Sequence, residues 1–306
     1  MNNVVDVTGG QGGISFLIVG EEKTALIDCG MGYCAANLIS NIKQALNNRA
    51  LNYILISHSH YDHIGAIPYL KEEWPNSKVY GAEHAKRILT RQNALKTIKE
   101  LGRQAATIYG SGVLTEYDDE LLKVDECIRD GDILDLGGSS IRVLETPGHT
   151  KCSLSFLIDN ETLFPCETTG CMSKSGKIYS AFITSYSEAI ASAYKCQATN
   201  PRHIISPHFG QVSKEDMLGY WENCISAIEE TKAFILHLSE QGYTEAKILA
   251  EYEKAFRDEQ SRLEQPVNAF RLNAQAMIKT VLREKSLDVR VPQKKMTQGK
   301  AERVDV

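Results

Sequence analysis

Residues 57–66 read SHSHYDHIGA, which puts His58, His60, Asp62 and His63 within six positions of a 306-residue chain that has only eight histidines. His58 and His60 alternate, so on an extended backbone both imidazoles face one side, while Asp62 and His63 reach a neighbouring position. Such sets of imidazole and carboxylate donors hold borderline divalent cations such as zinc, iron or manganese. The competing reading is a polar surface loop, and the flanking sequence weighs against it. LNYILIS (51–57) is an apolar run of strand length, and GAIPYL (65–70) opens an apolar helix. The cluster therefore sits on a loop leaving the carboxyl end of a strand, where α/β folds place their chemistry.

Strand-like and helical stretches alternate around this loop. ISFLIV (14–19) and TALID (24–28) flank the turn GEEK, AANLISNIKQAL (35–46) has helical spacing, and KVYGA (78–82) is a short strand. Residues 83–110 read as a long helical segment with a junction near Arg91 or Gly102. DGDILDLGGSSIRVLETPGHT (130–150) reads as a hairpin turning at Gly137 and Gly138, and SLSFLID and TLFPC flank the turn DNE. A helix follows over 187–198, with Ser185 and Glu188 spaced as a capping box. RHIIS and the loop PHFGQV end this half. The pattern predicts a two-sheet α/β sandwich over residues 1–212.

From Ser213 the composition turns helical. Residues 214–242 read as one helix with Met217, Trp221, Cys224, Ile225, Ile228, Ile235 and Leu238 on one stripe. TEAKILAEYEKAF (244–256) follows, and Pro266 opens a helix with Phe270, Ala274, Met277, Ile278 and Val281 on one face. Residues 213–285 are therefore expected to form a helical cap, with 286–306 as a polar tail. Trp221, Tyr252 and Phe270 are candidates to line a substrate pocket beneath it.

A net charge of −5 and the absence of a long basic run disfavour a nucleic-acid partner. No stretch is apolar for long enough to span a bilayer, and MNNVVDVTGG lacks the plan of a signal peptide, so a cytoplasmic location is expected. Eight cysteines without CxxC spacing read as reduced, buried thiols. TGGQGG (8–13) lacks the Gly-Lys-Ser/Thr of a phosphate loop and reads as a turn at the rim of the site. His84 and His203 are expected to be structural, and His237 a bystander on a helix.

Three further donors each follow an apolar, strand-like run: His149 in TPGHT, Glu167 in LFPCETTG and His208 in SPHFG. With HSHYDH, these resemble in order and spacing the metallo-β-lactamase fold hydrolases over residues 10–212, and ALIDCG is similar to that family's LIDTG strand. The resemblance implies an αββα sandwich, with one metal on His58, His60 and His149 and the other on Asp62, His63 and His208. It also puts Asp28 behind the ligands. The chain departs from the family at one point: Cys166-Glu167 stands where Gly-Asp is usual, with that Asp bridging both metals. Glutamate keeps the charge on an arm one methylene longer, so Glu167 either bridges or serves one ion; Cys166 reads as a buried thiol.

Two divalent ions, zinc ahead of iron or manganese, would make a shared water nucleophilic near pH 7. A metal-bound hydroxide attacking a thioester or similar small acyl ester fits this economy of groups, since a thiolate leaves with little acid help. Asp62 would both bind metal and hold the hydroxide's proton. The C-terminal helices are similar to the cap of the quinolone-signal response thioesterase and its relatives. A phosphodiesterase or lactonase on the same site, or a regulatory protein retaining the metals, are the alternatives. The flavodiiron branch of the family has Glu where His60 stands, which argues against oxygen reduction. The expected partner is a small acyl substrate. The sequence leaves the oligomeric state open, a dimer being compatible with it.

Overall fold

The computed structural model describes residues 3–110 and 112–288. The first sheet takes β1 (Val4–Asp6), β2 (Phe16–Val19), β3 (Thr24–Ile27), β4 (Tyr53–Leu55), β5 (Lys78–Gly81) and β6 (Glu126–Cys127), side by side in that order. β1 to β3 form an antiparallel meander, and β3 to β6 run parallel. The parallel crossovers carry α1 (Ala35–Leu46), α2 (Tyr61–Ile64), α3 (Ile67–Glu73), α4 (Glu83–Ile88) and α5 (Gln92–Tyr109). α1 buries Ala35, Leu38, Ile42 and Leu46, the three-and-four spacing of one helical face, and closes on Asn47 in the left-handed region. The junction expected near Arg91 or Gly102 falls at the first, between α4 and α5.

The second sheet is built from β7 (Ile133–Asp135), β8 (Ser140–Glu145), β9 (Leu154–Ile158) and β10 (Thr162–Phe164). A separate hairpin, β11 (Cys171–Met172) and β12 (Ile178–Tyr179), precedes β13 (His203–Ser206) and β14 (Gly210–Gln211), which complete the order β14-β13-β10-β9-β8-β7. Its side chains alternate with period two. Ile141, Val143, Phe156, Ile158, Phe164 and Ile205 face the first sheet in one core, where Phe16 meets Phe164 edge-on at 5.3 Å. Leu144, Leu157, Leu163 and Ile204 face outward, under α6 (Tyr186–Gln197) and the helices that follow. Two sheets pack face to face with helices outside, the mixed α/β sandwich expected.

The C-terminal helices are α7 (Lys214–Met217), α8 (Tyr220–Glu240), α9 (Glu245–Phe256), α10 (Glu259–Glu264) and α11 (Val267–Asp288). The single helix expected over 214–242 is broken: Leu218 leaves the helical region and Gly219 takes φ +82°, so the chain turns between α7 and α8. Ile228, Ile235, Ile248, Tyr252, Phe270, Met277, Ile278 and Val281 form a core of their own, against Phe182 and Ala189. α11 runs three residues past the expected end of the cap, and the rest of the predicted tail, 289–306, lies outside the described residues.

Candidate metal centre

β8 is antiparallel to β9, and β9 to β10, while β10 is parallel to β13. β8, β10 and β13 therefore run the same way and deliver their carboxyl ends to one edge of the sheet. His149 follows β8, Glu167 follows β10 and His208 follows β13; across the sandwich, His58 follows β4. Asp62 and His63 are not on a loop, as the sequence suggested, but within the single turn α2, which bends the chain back beneath the same edge. Gly148 holds φ +134°, and a Cβ there would lie 2.7 Å from the backbone of Ala189. A larger residue would push TPGHT off α6. Gly13, from TGGQGG, packs so tightly that a Cβ would meet the Asp62 carbonyl at 2.3 Å.

The seven candidate donors come together in two groups: His58, His60 and His149 in one, and Asp62, His63, Glu167 and His208 in the other, with donor atoms of each group within 4.8 Å of one another. Glu167 faces both. Its Oε1 lies 2.7 Å from His63 Nε2 and 2.8 Å from His208 Nε2, and its Oε2 lies 3.2 Å from His149 Nε2. Asp62 Oδ2 stands further back, 3.8 Å from His63 and 3.7 Å from His208.

Groups behind the donors fix which nitrogen each imidazole presents. His63 Nδ1 donates to Asp28 Oδ2 at 2.7 Å, and Asp28 also accepts from the Ser57 backbone N–H and hydroxyl, each at 2.7 Å. With its proton engaged on Asp28, Ser57 Oγ accepts from His58 Nδ1 at 3.1 Å. His149 Nδ1 donates to the Ala181 carbonyl at 2.5 Å. Three imidazoles thus engage Nδ1 outside and turn Nε2 into the site, the arrangement that outer partners impose on metal-ligating histidines.

The electrostatics follow from burial. His58 is driven well below the ordinary histidine range by burial, with His63 and His60 adding to it, and His60 is pushed down to about 3 by burial and by His149. Both are neutral donors at pH 7. Burial would lower His63 too, but the carboxylates of Asp28 and Asp62 hold it well above its usual value. Burial raises Asp62, whereas the histidines, His149 first, overcome burial and hold Glu167 below its usual value. His58 Nε2 is buried with no hydrogen-bond partner among the described residues, and His60 Nδ1 and His149 Nε2 face each other at 3.1 Å. An orphaned lone pair beside converging imidazoles, spanned by a carboxylate with one oxygen toward each group, fits two divalent cations.

The centre opens into a cavity of about 1160 Å³ between core and cap, lined by His60, Asp62, Glu167 and His208 from the site and by Tyr252, Phe270 and Met277 from the cap. Trp221, named with Tyr252 and Phe270 from the sequence, is absent from this wall; it packs edge-on against Tyr220 under the second sheet. His84 does line the cavity, which the sequence did not suggest. Ser57 and Ala181 were also missed: a serine beside a histidine run carries little signal, and the carbonyl holding His149 is 32 residues away.

A sequence model of the Metallo-beta-lactamase superfamily matches residues 8–164, just over half of the chain. A metallo-beta-lactamase fold-containing protein of Sulfurisphaera tokodaii is 31% identical over 159 residues, 51% of this chain and 56% of that protein. A hydroxyacylglutathione hydrolase of Francisella tularensis subsp. novicida is 31% identical over 125 residues, 41% of this chain and 36% of that enzyme. The chain thus spans about half the length, or less, of these curated relatives. A crystal structure of a metallo-beta-lactamase family protein from Thermus thermophilus superposes with a TM-score of 0.65 over 94% of this chain and 95% of that one, at 16% identity, a likeness of fold.

Proposed function

The chain belongs to the metallo-β-lactamase superfamily, and on that premise we propose that it is a metal-dependent hydrolase acting on a thioester or a comparable small acyl ester at a two-metal centre. The observation that carries this reading is the Glu167 carboxylate, which turns one oxygen to His63 and His208 and the other to His149. When bound, the ions would polarise an acyl oxygen and lower the pKa of a shared water toward neutrality.

His58, His60 and His149 would hold one ion and Asp62, His63 and His208 the other, with Glu167 between them. Asp28 fixes the ring of His63, and the Ala181 carbonyl fixes that of His149, so neither imidazole must reorganise during turnover. Asp62 would serve twice, holding the second ion through Oδ2, which faces His63 and His208, and accepting a proton of the attacking water through its other oxygen. Tyr252, Phe270 and Met277 give the cavity an apolar wall that suits an acyl chain and excludes water. A hydroxyacylglutathione is itself a thioester, so the match to a hydrolase of that name supports the same bond type.

The experiment is a panel in which one acyl group is presented as a thioester, an oxygen ester, a lactone and a phosphodiester to zinc-loaded protein. Fastest turnover of the thioester is expected, and its abolition in Asp62→Ala. A preference for the phosphodiester, or thioester hydrolysis that survives Asp62→Ala, contradicts the proposal.

A further inference from the structure

Two cationic side chains of the core and one histidine share the cavity with the metal centre and have no part in the chemistry above. His84 sits on α4, Arg91 at the passage from α4 to α5, and Lys151 two residues beyond His149; all three line the cavity wall. A second cavity lysine, Lys177, is ion-paired with Asp258 at 3.0 Å, but among the described residues no carboxylate lies within ion-pair distance of His84, Arg91 or Lys151. Outside the metal cluster the one acid lining the cavity among the described residues is Glu230, on α8, which accepts from Ser226 at 2.9 Å. Both cations are felt at His84: burial lowers its pKa, and Arg87, Lys151 and Arg91 lower it further, so the imidazole faces the cavity neutral at pH 7.

Positive charge left without a carboxylate partner in a cavity wall attracts an anion. Arg91 offers a planar fork suited to carboxylate or phosphate, and Lys151 a point charge. The cap supplies the apolar part of the wall through Tyr252, Phe256, Phe270 and Met277. Apolar and cationic walls in one cavity, with the reactive centre between core and cap, suit a substrate with one greasy and one anionic half.

We propose that Arg91 and Lys151, with His84, form the recognition site for an anionic group on the thiol half of the substrate, so that the chain selects acyl thioesters of charged carrier thiols over neutral ones. The proposal rests on the thioester reading above. A phosphate of a nucleotide thiol and a carboxylate of a peptide thiol share this chemistry.

The test presents one acyl group on N-acetylcysteamine, which is neutral, on glutathione, which carries carboxylates, and on coenzyme A, which carries phosphates. The quantity read is the ratio of kcat/KM for each charged ester to that for the neutral one. In the double variant Arg91→Ala, Lys151→Ala the ratio should fall about tenfold, the loss expected of one charge-assisted contact, and Arg91→Lys, Lys151→Arg should restore most of it. The arm that falls identifies the anion. Damage to the neighbouring His149 would slow all three esters alike and leave the ratio unmoved, so an unmoved ratio in both arms overturns the proposal. If no thioester is hydrolysed, the thioester reading fails by itself. Calorimetric titration of zinc-loaded protein with free glutathione and coenzyme A then decides the anion site: binding weakened about tenfold in the double variant supports it, whereas no binding, or equal binding, refutes it.

Discussion

Glu167 begins a single 3-10 turn directly after β10, and the turn closes at Gly170 with φ +99°. That placement lets one carboxylate face both donor groups. If it bridges two ions, Glu167→Gln should remove the second metal and most turnover, because a neutral amide does not offset two dications. Glu167→Asp should keep both metals and lose about tenfold or more in kcat, since the shorter arm changes the spacing around the shared water. Full activity with two metals in Glu167→Gln would show that the residue is no ligand. Behind it, Asp28→Asn should weaken metal affinity about 10- to 100-fold without unfolding the chain, as loss of an outer partner does; competition with a chromogenic chelator reads this directly. At this scale the sequence was legible wherever a donor lies in a spaced motif or follows an apolar run. It was silent on Ser57 and Ala181, whose roles depend on where distant backbone falls.

Elements were legible where periodicity is strong. The face of α1 and the alternation of β8 to β10 follow from their apolar spacing, and the cap of α6 reads from Ser185, whose hydroxyl accepts the Glu188 N–H. The break at Gly219 escaped because the apolar stripe continues across it, and the two-residue strands of the β11–β12 hairpin are too short to show a period. That hairpin ties core to cap. Tyr179 donates to Asp258 at 2.6 Å and Lys177 pairs with it at 3.0 Å, while Asp258 also caps α10 through the Ser261 N–H. Burial would raise the Asp258 carboxyl, but the Tyr179 hydrogen bond, the Ser261 N–H and Lys177 bring it down to about 2. A depressed carboxylate stabilises fully above its unfolded value of about 3.9 and loses that contribution as pH falls through about 2. Asp258→Ala should therefore lower stability by about 1 kcal/mol at pH 7, the usual size of a lost cap, and the gap from wild type should close near pH 2; urea midpoints at the two pH values check both parts. Phe270 is buried between α9 and the cavity. Phe270→Ala should cost about 3 kcal/mol of stability and admit bulkier acyl groups. Lowered stability with an unchanged substrate profile would mean that it only joins helices.

At the scale of the molecule, the two-sheet sandwich could be read from the order of apolar runs, and the convergence of seven donors from the family those motifs resemble. The cavity could not, because it arises where α4, α5, α9 and α11 meet, and no sequence pattern announces a space between elements. Among the described residues no helix is long and apolar enough to cross a membrane. The donors come from the ends of strands in both sheets, so bound metal should stabilise the whole fold: at free ion 1,000-fold above Kd the gain is about 4 kcal/mol per site, visible as a fall in Tm on chelation. The central claim is a pair of ions spanned by Glu167, and metal stoichiometry tests it most directly. Chelator-stripped protein is titrated with zinc against a competing chelator of known affinity, and bound metal is counted by elemental analysis. The account predicts two zinc ions per chain in the wild type, one in Glu167→Gln, and selective loss of the other in His58→Ala. A single ion in the wild type, or two in Glu167→Gln, would contradict it.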